Sequence, residues 1–217
     1  SLHDALPICL PVDQLIGRLD DLLQTDVDDI ANFIESLLEQ GALYSTYYED
    51  ILYIYPPEMY VSEVEGVHYT RKFLLEADPI ALDISSFIEK FERDNYIIFG
   101  DAQKEAIQLS FFEKFSLITG GPGTGKTTII KALVKGFQLG GLGRIILCAP
   151  TGRAAKRLTE ATEFEATTIH RLLVPVQGSD SYDFTKNEDD PLDIDVIIID
   201  EASMLNVRLF YSLMAAI

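Results

Sequence analysis

The sequence predicts an α/β fold over residues 96–217, with a parallel sheet and helices on both of its faces. Helical patterns over 126–139 and 152–160 lie between short apolar runs. Strands that alternate with helices are typical of a parallel sheet whose connecting helices cover both faces. Three runs have the length and the β-branched content of buried strands: FSLIT, RIILCA and DVIIID.

The first half of the chain predicts two amphipathic helices followed by a hairpin. Apolar residues recur at helical spacing over 11–24 and 26–40, and two β-prone runs, ALYST and ILYIY, follow. This order outlines a small, mainly α winged-helix-like domain over residues 9–56. The second helix carries five acidic and no basic side chains. Because acids repel DNA phosphates, we expect a structural or protein-docking role for it.

Two further helical patterns, about 57–77 and 83–93, predict a helical linker region over 57–95. The helix break between them is predicted at Asp78–Pro79, since the residue before a proline disfavours helix. Ser1–Ile8, SLHDALPI, resembles one translated frame of a common DNA-sequencing adapter, so we expect a non-native segment there. The run VRLFYSLMAAI is still helical in pattern at the last residue, and we expect the chain to be a fragment.

Charge is unevenly distributed along this acidic chain, whose formal net charge is −18. Residues 1–95 carry 20 acids and 5 bases, whereas residues 96–217 carry 15 acids and 12 bases. Phosphate contacts supply most of the affinity for nucleic acid, so only the second half is a candidate nucleic-acid binder. No apolar run approaches the roughly 18 residues of a membrane span.

The two cysteines, Cys9 and Cys148, have neither metal-binding nor redox spacing. Cys148 lies within an apolar run, and we expect a buried, unreactive thiol. These features favour a cytoplasmic protein.

Residues Gly120–Thr127 fit the phosphate-binding pattern G-x-x-x-x-G-K-[ST], between a predicted strand and a predicted helix. Glycines allow backbone N–H groups to turn inward around phosphates, and Lys126 supplies positive charge to the β and γ oxygens. The Thr127 hydroxyl is a candidate ligand for Mg²⁺. The predicted nucleotide contacts of this loop are Gly121, Pro122, Gly123, Thr124, Gly125, Lys126, Thr127 and Thr128.

A second part of the site is predicted at the end of the run VIIID. The strand delivers Asp200 and Glu201 to its carboxyl end, where open α/β sheets bind ligands. Asp200 is the candidate carboxylate for Mg²⁺, and Glu201 is the candidate base that orients and deprotonates an attacking water. With Lys126, these two residues form the predicted catalytic set for hydrolysis of a nucleotide.

Four motifs in order, GGPGTGKTT, APTGRAAKRL, TTIHRLL and IIIDEASML, closely resemble those of superfamily 1B DNA helicases. The best match is the RecD-like group, the exodeoxyribonuclease V alpha subunit-like proteins. The resemblance implies a truncated RecA-like P-loop NTPase domain over 96–217 that uses ATP and Mg²⁺. It also implies 5′ to 3′ translocation on single-stranded DNA in repair and recombination. Because such motors complete their ATP site with an arginine from a second domain, we expect this chain alone to bind nucleotide weakly and to unwind nothing.

Further site residues follow from the same resemblance. Gln103, in DAQKEAI, corresponds to the glutamine that recognises adenine, although an exposed helical glutamine would look the same. The element Pro150–Gly152 corresponds to one that touches single-stranded DNA. The helix after Thr151 also offers free N–H groups to a phosphate.

Basic and polar side chains extend this predicted DNA surface. Arg153, Lys156 and Arg157 share one helical face, which is also what a solvated basic face would show. Thr168 and His170 are candidates for DNA contact. The alternatives are a helix cap for Thr168 and a structural role for His170.

Two other functions stay open at the level of the sequence. One is a different P-loop enzyme, such as a kinase, against which the motifs DEASM and APTGRAAK argue. The other is an ATPase subunit that acts only within a recombination or nuclease complex. The acidic first half would suit docking to other subunits of such a complex.

Overall fold

The computed structural model describes residues 8–24, 26–75, 80, 82–178 and 182–217. Most of the adapter-like segment, Ser1–Ile8, and the predicted helix break at Asp78–Pro79 lie outside the described residues. The chain divides into two compact units, Ser1–Gly66 and Val67–Ile217. The finer domain boundaries after residues 56 and 95 stay predictions.

The first unit is built around a three-stranded antiparallel sheet in the order β1-β3-β2. Glu49 and Asp50 form the tight turn between the last two strands, both with positive φ, as two-residue hairpins require. Its elements are β1 (Leu10–Pro11), α1 (Val12–Leu23), α2 (Val27–Glu39), β2 (Tyr44–Tyr48), β3 (Ile51–Tyr55) and the start of α3 (Pro57–Leu74). The predicted order of two helices and a hairpin is therefore present, and the winged-helix-like assignment stays a prediction.

The second unit contains the predicted parallel sheet. Its three described strands have the order β5-β4-β6, and all pairs are parallel. The elements are α4 (Ile84–Asn95), α5 (Asp101–Phe112), α6 (Lys126–Leu139), β4 (Ile145–Ala149), α7 (Gly152–Thr162), β5 (Ala166–Thr168), α8 (Ile169–Leu173), β6 (Val196–Ile199), a 3-10 helix (Ala202–Met204) and α9 (Val207–Ala215).

Helices cover both faces of this sheet, as the sequence predicts. Leu147 and Ile198 pack on one face against α6 and α7. Cys148 and Ile199 point to the opposite face, where α8 and α9 pack. Cys148 is fully buried, and burial raises the pKa of its thiol to about 12, so the predicted inert cysteine is confirmed.

Two sequence predictions about this unit are wrong. The run FSLIT, Phe115–Thr119, was expected to be a strand, but within the described part of the chain no strand pairs with it. The polar connection 175–191, PVQGSDSYDFTKNEDDP, predicts a mobile loop from its sequence, yet its described residues fold back on the core. Pro175 and Phe184 form a bridge, and Phe184 is only 8% exposed against α8 and α9.

The prediction of a mobile loop is wrong because burial of one aromatic side chain, Phe184, outweighs the polar composition of the rest of the connection. Burial of a phenylalanine contributes roughly 1.5–3 kcal/mol, enough to hold a short polar segment in place. Backbone hydrogen bonds from Val176 to Asp183 and from Thr185 to Val174 support the fold-back. Across the described ranges, no helix has both the length and the apolar character needed to span a membrane.

Candidate nucleotide-binding site

The phosphate-binding loop has a backbone that depends on its glycines. Gly123 and Gly125 have φ values of 74° and 82°, which side chains with a Cβ rarely adopt. A Cβ on Gly120 would come within 2.8 Å of the Thr124 hydroxyl oxygen. That hydroxyl donates a hydrogen bond of 2.9 Å to the Gly121 carbonyl, so it closes the loop on itself.

Lys126 begins α6 directly after this loop. Its Nζ donates to the carbonyl oxygens of Gly120 and Gly121, at 2.6 and 2.8 Å. The first N–H groups of a helix have no intrahelical partner, and the helix dipole adds positive potential at the same end. The ammonium group and the start of α6 therefore combine into an anion-binding site of the kind that phosphates occupy.

Gln103 connects α5 to the phosphate-binding loop. Its Oε1 accepts a hydrogen bond from Gly100 N, and its Nε2 donates to the Thr124 carbonyl, both at 2.8 Å. A Cβ on Gly125 would come within 2.5 Å of Nε2, so the amide lies directly against the loop. The predicted adenine contact of Gln103 stays a prediction, and the observed bonds add a role in holding the loop.

Glu92 is a supporting residue that sequence reasoning missed. Its carboxylate accepts a 2.7 Å hydrogen bond from Phe99 N and pairs with Lys104 Nζ at 3.1 Å. The bond from Phe99, followed by the Lys104 interaction, lowers the pKa of Glu92. These contacts fix the chain just before α5 and Gln103. A single glutamate on an amphipathic helix gives no sequence signal of such a role.

The two predicted carboxylates lie at the carboxyl end of β6. Asp200 N donates to the Cys148 carbonyl at 2.9 Å, so the strand pairing extends to the start of the site. Glu201 is exposed and has a left-handed φ of 56°, which costs a non-glycine residue free energy. Such strain is concentrated at functional sites, which agrees with the predicted role of Glu201.

The loop and the carboxylates belong to elements that pack together. Ile130, one turn into α6, packs in the same cluster as Leu147 of β4 and Ile198 of β6. The described residues contain no group of three or more metal-ligating side chains. Mg²⁺ usually keeps several waters and takes only one or two carboxylates beside phosphate oxygens. Asp200 and Thr127 fit that chemistry.

The predicted DNA-contact residues lie along the same edge of the sheet. Ala149 pairs in register with Thr168, which brings the Pro150–Gly152 turn beside the start of α8. Thr151 caps α7, since its Oγ1 accepts a hydrogen bond of 3.2 Å from Ala154 N. Three basic side chains are exposed on α7: Arg153, Lys156 and Arg157. The Nζ atom of Lys156 lies 3.9 Å from Glu160 Oε1.

For Thr168 and His170 the structure supplies local roles. Thr168 Oγ1 accepts a 3.2 Å hydrogen bond from Arg171 N and caps α8. The His170 ring packs against two aromatic rings, with its centroid 5.7 Å from that of Phe184 and 6.3 Å from that of Tyr182. Their contact with DNA stays a prediction.

Comparison with known proteins identifies relatives of this region. Residues 103–217, just over half of the chain, match the family model described as an AAA domain. The ATP-dependent RecD2 DNA helicase of Deinococcus radiodurans is 46% identical over 101 residues, which are 46% of this chain and 13% of that protein. The RecBCD enzyme subunit RecD of Mycolicibacterium smegmatis is 35% identical over 139 residues, 54% of this chain and 25% of that protein.

A further relative is the RecBCD enzyme subunit RecD of Haemophilus influenzae, 35% identical over 142 residues. The alignment covers 54% of this chain and 22% of that protein. The chain therefore spans a quarter or less of the length of these curated relatives. The resemblance to RecD-like proteins that the four motifs indicate is confirmed.

Proposed function

The chain belongs to the AAA domain family, and on that premise we propose that it is part of an ATP-dependent DNA helicase of the RecD-like group. The observation that carries the proposal is the packing of α6, which directly follows a glycine-dependent phosphate loop, on the two strands that end just before Pro150 and Asp200. A hydrolytic site and a DNA-contact element thus share one sheet edge.

The nucleotide site is proposed to take ATP with Mg²⁺. The loop from Gly121 to Thr128 would hold the phosphates, while Thr127 and Asp200 would hold the metal ion. Bound ATP·Mg²⁺ supplies the phosphoryl group that is transferred to water. Lys126 neutralises phosphate charge, and Glu201 orients the water and accepts its proton. Gln103 contributes through its bond to the loop.

The DNA partner is proposed to be single-stranded and to lie along the Pro150–Gly152 turn and the exposed basic face of α7. Arg153 offers a charge to the phosphate backbone, next to the cap of the helix. Thr168 and His170 would extend this contact. The proposed direction, 5′ to 3′, and a place in cytoplasmic DNA repair and recombination rest on the RecD-like resemblance.

The proposal is tested by ATP hydrolysis of the full-length protein, measured with and without single-stranded DNA, beside Lys126→Ala. We expect strong stimulation by DNA, and a loss of about 100-fold or more in the variant, because Lys126 stabilises phosphate charge. Hydrolysis that depends on Lys126 but ignores DNA would mean that the site is an ATPase and the helicase assignment is wrong.

A second candidate is a subunit that works only within a larger recombination or nuclease complex. The observation in its favour is the charge of the first half, 20 acids against 5 bases, which suits docking to a basic protein surface better than to DNA. Robust DNA-stimulated hydrolysis by the isolated full-length protein would argue against it.

A further inference from the structure

The two edges of the antiparallel sheet in the first unit differ in how they are protected. At one edge, β1 is two residues long and ends in Pro11, which has no backbone N–H to offer another strand. At the other edge lies β2, which is five residues long. Its register with β3 runs without a bulge from the pair Tyr44–Tyr55 to the pair Tyr48–Ile51. Among the described residues, no strand pairs with the outer side of β2.

The sequence of β2 lacks the features that protect an edge strand. Such strands usually carry a lysine, a proline or a bulge that prevents pairing with another chain. The run YSTYY has no charge and no proline, and its tyrosines and threonine favour strand structure. Tyr47 is 72% exposed and Tyr48 is 65% exposed. Because neighbouring residues of a strand point to opposite faces, each face of the sheet offers an aromatic side chain at this edge.

The hairpin turn decides which backbone groups of β2 point outward. A two-residue turn closes on a hydrogen-bonded pair, which here is Tyr48 and Ile51. Hydrogen-bonded pairs alternate along an antiparallel ladder, so Thr46 also turns its N–H and C=O groups towards β3. Ser45 and Tyr47 turn theirs away from β3. These two residues therefore offer two donors and two acceptors to a strand alongside.

Charge indicates which kind of strand fits this edge. Residues 9–66 carry 13 acidic side chains and a single basic one, Arg18. Glu49 and Asp50 form the hairpin turn at the end of β2, and both are exposed. Carboxylates attract lysine and arginine and repel acidic segments and nucleic-acid phosphates. A second copy of this chain would bring the same acidic turn, and like charges oppose the pairing of two such strands.

We propose that β2 binds an extended basic segment of a partner protein, which adds to the sheet as a fourth strand. The outward backbone groups of Ser45 and Tyr47 hydrogen-bond this segment. Tyr47 and Tyr48 pack against its apolar side chains, one on each face of the sheet. Glu49 and Asp50 attract its basic side chains. This binding needs neither ATP nor DNA, so its failure is distinguishable from failure of the proposed helicase function.

The test uses a synthetic peptide of about ten residues in which lysine alternates with valine and threonine. It is titrated into the 217-residue chain, beside a control peptide with glutamate in place of lysine. We expect saturable binding of the lysine peptide. Binding of the glutamate peptide should be at least about tenfold weaker, because the carboxylates of this unit repel it.

Ser45→Pro tests the backbone of the edge. Proline removes one outward N–H but no hydrogen bond to β3, and edge strands tolerate it at such a position. Affinity for the lysine peptide should fall at least about tenfold, while the melting temperature changes little. Thr46→Pro is the contrasting variant. Its N–H points at β3, so this substitution should lower the melting temperature.

The chain offers a matched pair of variants for the charge of the turn. Glu49→Gln combined with Asp50→Asn should weaken binding of the lysine peptide at least about threefold. Asp20→Asn combined with Asp21→Asn removes the same charge from exposed positions of α1. This control should weaken binding less than about 1.5-fold, because screening by salt leaves mainly the charges near the peptide effective.

Amide hydrogen exchange supplies a measurement that needs no substitution. In the free chain, the amides of Thr46 and Tyr48 should be protected, and those of Ser45 and Tyr47 should exchange fast. Saturating lysine peptide should slow exchange at Ser45 and Tyr47 at least about tenfold. If Ser45→Pro prevents folding, this exchange pattern and the charge variants decide the question.

Several results would overturn the proposal. One is that the unaltered chain binds neither peptide, or binds both equally. Another is that a folded Ser45→Pro variant binds the lysine peptide as well as the unaltered chain does, since the edge is then not the binding site. A third is slow exchange at Ser45 and Tyr47 in the free chain together with a dimer in sedimentation, which would show that a second copy covers the edge.

Discussion

Charged side chains are arranged differently at the two ends of the paired strands β4 and β6. At the amino end, Arg144 and Asp195 form an ion pair, with Arg144 Nη2 2.6 Å from Asp195 Oδ1. Asp195 also accepts hydrogen bonds from the backbone N–H groups of Gly143 and Arg144. At the carboxyl end, Asp200 and Glu201 form no ion pair within the described ranges.

This difference in ion pairing indicates that the amino end of the two strands is structural and that their carboxyl end is functional. Arg144 also pairs with Asp193, so one guanidinium holds two carboxylates where the two strands begin. Carboxylates that form no ion pair with a described residue, at the edge where parallel sheets bind ligands, stay available for a cation or a water. Charges at the amino end should therefore matter for stability, and those at the carboxyl end for chemistry.

The largest expected effect lies at the carboxyl end. Glu201→Gln keeps the size of the side chain and removes the base, so ATP hydrolysis by the full-length protein should fall by about 10²–10⁴-fold. ATP affinity should change little, because the phosphates are held by the loop. Single-turnover hydrolysis and ATP titration measure the two quantities.

Glu105→Gln, on an exposed position of α5, is the matched control and should hydrolyse ATP like the unaltered protein. Equal loss of ATP binding and hydrolysis in Glu201→Gln would contradict the assignment of Glu201 as the base. A clear drop in melting temperature would contradict the comparison between the two ends.

Much of the second unit could be predicted because local patterns and tertiary packing agree. The motif places the start of α6 at Lys126, and the predicted range 126–139 matches the helix. The strands β4 and β6 are runs of apolar residues, which are buried only when the strand lies within the sheet. Phe115–Thr119 shows the limit, since a strand needs a partner backbone and the sequence of the run does not identify one.

The site was predictable to the extent that it depends on residue types in one continuous motif. The family resemblance of DAQKEAI identifies Gln103, but its two backbone hydrogen bonds depend on how α5 approaches the loop. Glu92 comes from a helix with no motif. Its contacts with Phe99 and Lys104, just before and within α5, exist only in three dimensions.

An intermediate effect is expected at the amino end, where Asp195→Asn removes the ion pair. The hydrogen bond from Arg144 is the largest cause that lowers the pKa of Asp195, to about 2 from an ordinary value of 3.8. Because the folded state has the lower pKa, the stabilisation is complete above about pH 4 and is lost as pH falls towards 2. Urea unfolding should show the variant less stable at pH 6, with the gap narrowing at pH 3.

The control for this prediction is Asp94→Asn, an exposed carboxylate near the end of α4. It should unfold like the unaltered chain at both pH values. A difference between Asp195→Asn and the unaltered chain that stays constant from pH 6 to pH 3 would show that the carboxylate charge is not what stabilises the amino end.

The smallest expected effect tests whether the carboxyl end is purely functional. Thr151 and Thr168 each accept a hydrogen bond from a helix N–H, so alanine at either position should cost about 1 kcal/mol of stability. Serine keeps the hydroxyl and should restore most of it. If Thr168→Ala weakens binding of single-stranded DNA while stability is unchanged, the hydroxyl serves the ligand and not the helix. The other result is that Thr168→Ala lowers stability, Thr168→Ser restores it, and the affinity for single-stranded DNA stays constant in both. Thr168 is then a structural residue at the carboxyl end of the sheet. In that case each residue, and not each end of the sheet, must be assigned to structure or to function.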